Sequence, residues 1–162
     1  MEADDHNMIE IGSRSLLIQT LNCNILFETG TGAYLSPEMK KRFQVVENHH
    51  VLLESLEKNG LKPDEITHIF LSHLHFDHSG GLLKAWTPER QQYELAFPKA
   101  LFFCSEQNFE RSCNPHMRDR ASFIPELNDL LKETKRLRLL NAGSQLDLDG
   151  IKIEFFETHG HT

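Results

Sequence analysis

Ser72-His73-Leu74-His75-Phe76-Asp77-His78-Ser79-Gly80-Gly81 is the stretch that decides how the rest of the chain is understood. Three imidazoles and a carboxylate fall within six residues, His73 to His78. Neutral imidazole and carboxylate are ligands for first-row metals, and zinc takes them at about 2.0–2.2 Å. Residues two apart at the end of a strand point to one side, so His73 and His75 can chelate one ion. Asp77 and His78 follow in the turn and can reach a second ion beside it. Leu74 and Phe76 are then free to face a core, and Gly80-Gly81 permits a tight bend into a helix. A structural zinc site usually closes with four nitrogen or sulfur ligands, and no cysteine lies near in sequence. Mixed histidine and aspartate ligands suit an open, hydrolytic centre.

Upstream, Ile66–Ser72 is a short β-rich run that reads as a buried strand delivering the chain into this cluster. Ser15–Thr20 and Asn24–Phe27 read as two further strands, followed by the glycine-punctuated loop Glu28-Thr29-Gly30-Thr31-Gly32. Ser36-Pro37-Glu38 combines an N-cap, a proline at the first helical position and a first-turn acid, a helix start. A second helix is expected from about Asn48 to Asn59, stopped by Gly60. Downstream, Leu82–Trp86 reads as a short helix and Ala100–Cys104 as a buried strand. Helices are expected from Ser105 to about Arg111 and over Pro125–Thr134. Arg136–Leu140, Gln145–Leu148 and Ile151–Glu157 read as strands, with Asp149-Gly150 as a hairpin turn. The mixture is that of an α/β (α+β) protein.

The chain has 162 residues, the size of one domain, 1–162. Its 17 basic and 24 acidic residues give a formal charge of −7, which does not favour sequence-independent binding to nucleic acid or to an anionic membrane. Cys23, Cys104 and Cys113 show no CxxC spacing and read as buried or semi-buried thiols in a reducing compartment. The opening MEADDHNMIE is not a secretory leader, and the apolar stretch from Leu16 to Phe27 is interrupted by polar residues. The expected setting is cytoplasmic, with a small-molecule substrate and neither nucleic acid nor membrane as partner. Of the remaining histidines, His68 reads as a packing residue on its strand. His6, His49, His50 and His116 read as surface residues.

The far end, Phe155-Phe156-Glu157-Thr158-His159-Gly160-His161-Thr162, runs a strand into a Gly-His turn. Together, the His-x-His-x-Asp-His cluster after a buried strand and this Gly-His-Thr turn resemble the metallo-β-lactamase superfamily. Phe27-Glu28-Thr29-Gly30-Thr31-Gly32 is similar to that family's Asp-Thr-Gly loop, with Glu28 where aspartate is usual. Asn114–Ser122 is similar to a segment of its lactonase and esterase branch. The resemblance implies an αββα sandwich, of which this sequence carries the N-terminal portion. It implies that His73, His75 and His161 hold a first metal, with His159 as the competing terminal ligand, and that Asp77 and His78 contribute to a second. The implied cofactor is zinc, one or two ions, with iron or manganese as alternatives, and Asp77 is the implied catalytic residue.

The family's downstream aspartate and histidine are not in this sequence, so the second site is expected to be weak. One sheet is expected to show a bare apolar face, which predicts self-association or a complementing C-terminal half. The activity implied is hydrolysis of an ester or lactone by metal-activated water. The alternatives are a mononuclear iron oxygenase-type member and a non-catalytic metal-binding or partner-binding half-domain.

Overall fold

The computed structural model describes residues 2–158 and 160–161. Among the described residues, seven strands and five α-helices follow in the order β1 (Leu16–Gln19), β2 (Asn24–Phe27), α1 (Pro37–Phe43), α2 (Val51–Lys58), β3 (His68–Phe70), α3 (Phe76–Ser79), β4 (Leu101–Ser105), α4 (Glu106–Cys113), α5 (Pro125–Glu133), β5 (Leu137–Leu140), β6 (Gln145–Leu148) and β7 (Ile151–Glu154). Strands β1 to β5 form one sheet in sequence order; β1 and β2 pair antiparallel and the rest pair parallel. Strands β6 and β7 form an antiparallel hairpin. The α/β class is therefore as the sequence implies.

The central strands are apolar at consecutive positions because both sheet faces are covered. One side chain of each neighbouring pair goes to each face. Leu26, Ile69 and Phe102 join Leu56 of α2, Phe109 of α4, and Leu127 and Leu131 of α5 in the larger core. Ile25, Phe70 and Phe103 point the other way, where Leu146, Leu148, Ile153 and Phe155 of the hairpin segment close over them. Phe70 stacks on Phe27 and Phe103 at centroid distances of 5.0 and 4.5 Å, and Phe155 reaches it at 5.7 Å.

The hairpin corrects the expectation of a bare apolar face. Phe70 and Phe103 are only 3% and 5% exposed. Asp149 and Gly150 both take positive φ, 57° and 86°, the geometry of a tight two-residue hairpin turn. The Asp149 carboxylate then accepts hydrogen bonds from the backbone and side-chain nitrogens of Asn22 at 3.0 and 2.9 Å, clipping the hairpin tip to the β1–β2 turn.

Two local expectations also change. The helix after the glycine pair is not at Leu82–Trp86. It lies earlier, as α3 followed by a 3₁₀ turn over Gly80–Leu82, and Leu83 instead bridges to Leu95. Second, His50 is a buried residue rather than a surface one. It caps α2: Nδ1 accepts from the Leu53 amide at 3.4 Å, and Nε2–H donates to the carbonyls of Gly81 (3.0 Å) and Leu83 (3.2 Å). A neutral imidazole supplies one acceptor and one donor, and both are used here. His6, His49 and His116 are exposed as expected, and His68 stacks on Phe103. Among the described residues, no helix is long and apolar enough to cross a membrane.

Candidate metal centre

The centre is built where β2 and β3 end side by side. The Leu71 amide still donates to the Phe103 carbonyl, the last backbone tie to β4 before the chain leaves the sheet. Beyond it, Ser72–Ser79 wraps over the loop that follows β2. Thr29 holds the wrap through its amide and its hydroxyl, both donating to the His78 carbonyl, at 2.9 and 2.8 Å. Gly81 donates to the Gly30 carbonyl at 2.8 Å, and a Cβ on Gly81 would fall 2.0 Å from the Thr29 carbonyl oxygen. Only glycine fits there, so the glycine pair is explained by backbone contact.

Glu28 is the hinge of this arrangement. It takes φ +62°, unusual for a side chain of its kind, and its carboxylate bridges two parts of the histidine segment. One oxygen accepts from the Ser72 amide at 2.6 Å and the other meets His78 Nδ1 at 2.7 Å. The extra methylene relative to aspartate is thus accommodated. The bond to Glu28 raises the His78 pKa and leaves Nε2 as the ring nitrogen directed elsewhere.

Four imidazoles converge. The His73 ring lies 4.6 Å from His75, 4.0 Å from His78 and 4.8 Å from His161, and His75 lies 5.2 Å from His161. One ligand atom each from His73, His78 and His161 fall within 4.8 Å of one another. This tightest group holds His78, not His75, beside His73 and His161. His75 adjoins through ring contacts, and the Asp77 carboxylate stands at the half-exposed rim, 3.5 Å from His78 Nε2. His159 lies outside the described residues.

Burial and the surrounding imidazoles push His73 down to about 4, and burial lowers His75, so both are neutral near pH 7. Both also carry a buried Nε2 with no hydrogen-bond partner. Nδ1 of His73 meets the Ser72 hydroxyl at 3.0 Å, so Nε2 is the ring nitrogen left without a partner. A buried unsatisfied polar atom costs about 1–3 kcal/mol, so two side by side need a partner. A cation accepting both lone pairs satisfies them; the donor set fits a divalent first-row metal.

Two neighbours were not legible in advance. Phe123 pairs with the His75 backbone and sets its ring 4.7 Å from the imidazole, nearly perpendicular. Arg111 of α4 binds Asp119 at 2.5 Å and ties down the loop that leads to Phe123. The Asn114–Ser122 similarity marked this loop without indicating the packing role. His73 and His161 open onto a cavity of about 1000 Å³ between the sheet end and the hairpin, walled by Phe70, Phe155 and Phe156.

The comparisons with known proteins agree with this geometry. Residues 9–87 match the family described as the metallo-beta-lactamase superfamily. A crystal structure of a probable metal-dependent hydrolase from Staphylococcus aureus superposes with a TM-score of 0.76 at 23% identity, covering 93% of this chain and 51% of its own. AidC, a dizinc quorum-quenching lactonase solved with a product, N-hexnoyl-L-homoserine, gives 0.56 at 29% identity, covering 80% of this chain and 43% of its own. A subclass B3 metallo-beta-lactamase from a soil metagenome library, MEM-A1, gives 0.56 at 24% identity, with coverages of 91% and 47%. The chain thus spans about half the length of the solved structures it matches. No curated protein matches the sequence significantly. Residues 9–87 thus match the metallo-β-lactamase superfamily by sequence, and the chain shares the fold of the solved structures above along most of its length.

Proposed function

We propose that this chain carries the metal-binding part of a metal-dependent hydrolase acting on an ester or lactone. The observation that carries the reading is the pair of buried, unpartnered Nε2 atoms of His73 and His75 beside His78 and His161. In this reading His73, His75 and His161 hold a first ion, and Asp77 and His78 contribute to a second. Zinc is the favoured ion, with iron or manganese as alternatives. When bound, such a cation supplies Lewis acidity toward a carbonyl oxygen and lowers the pKa of water.

The chain's own residues do the rest. Glu28 holds the Nδ1 proton of His78 and so presents Nε2. Asp77 faces solvent at the rim of the cluster, where its carboxylate can orient an attacking water and accept its proton. The phenylalanine-walled cavity excludes water from the apolar part of a substrate. AidC, which shares the fold, is a lactonase, and this favours lactones among the carbonyl substrates. The free cysteines fit a reducing, cytoplasmic setting.

Because the matched structures are about twice as long, turnover belongs to the proposal together with a partner, either a second copy or a complementing C-terminal half. The test is a lactone and ester panel with zinc-loaded protein, alone and at rising protein concentration. Hydrolysis lost on Asp77→Asn, with the first zinc ion retained, supports the reading. Zinc binding without turnover at any concentration favours a non-catalytic metal-binding module.

A further inference from the structure

Ser72 lies between the end of β3 and the first imidazole of the centre. It is an exposed residue, yet each of its polar groups is engaged by a different part of the fold. Its amide donates to Glu28 Oε1 at 2.6 Å, from the loop after β2. Its carbonyl accepts from Asn108 Nδ2 at 2.7 Å, from α4. Its hydroxyl meets His73 Nδ1 at 3.0 Å. Asn108 is itself set by the start of α4, where Ser105 Oγ accepts from its amide at 3.0 Å.

At an exposed position such bonds add little to stability, because water serves the same groups nearly as well. What they fix is a direction. The ring torsion of histidine is broad and roughly two-fold, so the backbone alone leaves an imidazole free to turn over. His73 is 7% exposed, with the His78 and His161 rings 4.0 and 4.8 Å away, and its Nε2 has no hydrogen-bond partner. Only with the Nδ1 edge on Ser72 does Nε2 occupy that place. A metal-ligating histidine ordinarily has its other ring nitrogen held by such a partner, and Glu28 holds Nδ1 of His78 in the same way.

We infer that Ser72 and Asn108 are positioning residues of the metal centre: the Ser72 hydroxyl accepts the Nδ1 proton of His73, and Asn108 holds Ser72 where it does so. The inference rests on the metal-binding reading above and adds to it a contribution from α4, which lies outside every motif of the sequence. A hydroxyl has two acceptor lone pairs, so Ser72 takes this proton while its own O–H faces solvent.

The experiment has a metal-free arm and a zinc arm, both on the full chain. In metal-depleted protein at neutral pH, heteronuclear NMR of the histidine side chains reports which nitrogen of His73 carries the proton. Wild type is expected to show the Nδ1–H tautomer. Ser72→Ala is expected to lose that preference, and Ser72→Thr, which returns a hydroxyl, to restore it. In calorimetric titration, Ser72→Ala should bind zinc about tenfold more weakly and Ser72→Thr close to wild type. Asn108→Leu should weaken zinc several-fold on its own and add little to Ser72→Ala, because it acts through the hydroxyl. Melting temperatures verify that each variant folds. An Nε2–H tautomer in the wild type, unchanged tautomer and zinc affinity in folded Ser72→Ala, or fully additive losses in the double variant overturns the inference. The tautomer arm contains no zinc, so its failure leaves the hydrolase reading standing, whereas a wild type that takes up no zinc overturns both.

Discussion

The two segments that supply imidazoles to the centre are held very differently. His73 to Gly81 is bound on every side: by Glu28 to Ser72 and His78, by Thr29 to the His78 carbonyl, and by Gly30 to Gly81. The segment carrying His161 is exposed, and among the described residues its last backbone hydrogen bond is from Phe155 to Ser144. One part of the site is thus preorganised by the sheet, and the other is brought to it by the end of the hairpin. The lesson is that most of the metal affinity should reside in the braced loop.

Substitutions in the two segments test that difference. The largest effect is expected from His73→Ala, which should weaken zinc by more than about a hundredfold, because losses of 10–100-fold already attend groups that only orient a ligand. His161→Ala should cost less; an equal or larger loss, by calorimetric titration, would place the affinity in the exposed segment. Glu28→Gln keeps the shape of the bridge and removes its charge. Zinc affinity should fall about 10–100-fold, and the metal-free His78 pKa, followed by NMR, should drop from its raised position.

Stability shows the same contrast. His50→Ala removes a helix cap and leaves the carbonyls of Gly81, at the end of the braced loop, and of Leu83 just beyond it without their donor, at a cost of about 1–3 kcal/mol in chemical denaturation. Burial also lowers the His50 pKa below 6.5 in the folded state. Its contribution is therefore complete above the unfolded value and diminishes as pH falls below about 6.5, where the unfolded chain takes up the proton first. Burial lowers His73 and His75 likewise, whereas His78, raised by Glu28, works in the opposite sense. Metal-free protein should therefore lose stability from pH 7 to 5, and His50→Ala should flatten that slope. The smallest effect is expected from Phe156→Ser, at a site 76% exposed: within about 0.5 kcal/mol of wild type in the same assay.

What could be seen in the chain beforehand follows from which interactions are local. The apolar runs of β3 and β4 and the spacing of His73, His75, Asp77 and His78 carry their own signal, because strand burial and chelation act over a few residues. His50 carries none. Its burial depends on carbonyls at Gly81 and Leu83, more than thirty residues away, and its neighbour His49 is exposed beside Glu54. Phe123 likewise looks like any apolar residue before a helix; its place on His75 depends on a backbone bridge to that residue and on a loop held by the Arg111–Asp119 pair. The apolar alternation of the hairpin was evident, but which face it would cover depended on the Asn22–Asp149 clip.

The most direct test of the metal centre is calorimetric titration of metal-depleted protein with zinc, beside a His73→Ala/His75→Ala double variant whose fold is verified by circular dichroism. The account predicts at least one tight ion per chain in the wild type, with protons released on binding, and no tight site in the variant. Wild-type affinity no greater than that of the folded variant would contradict it.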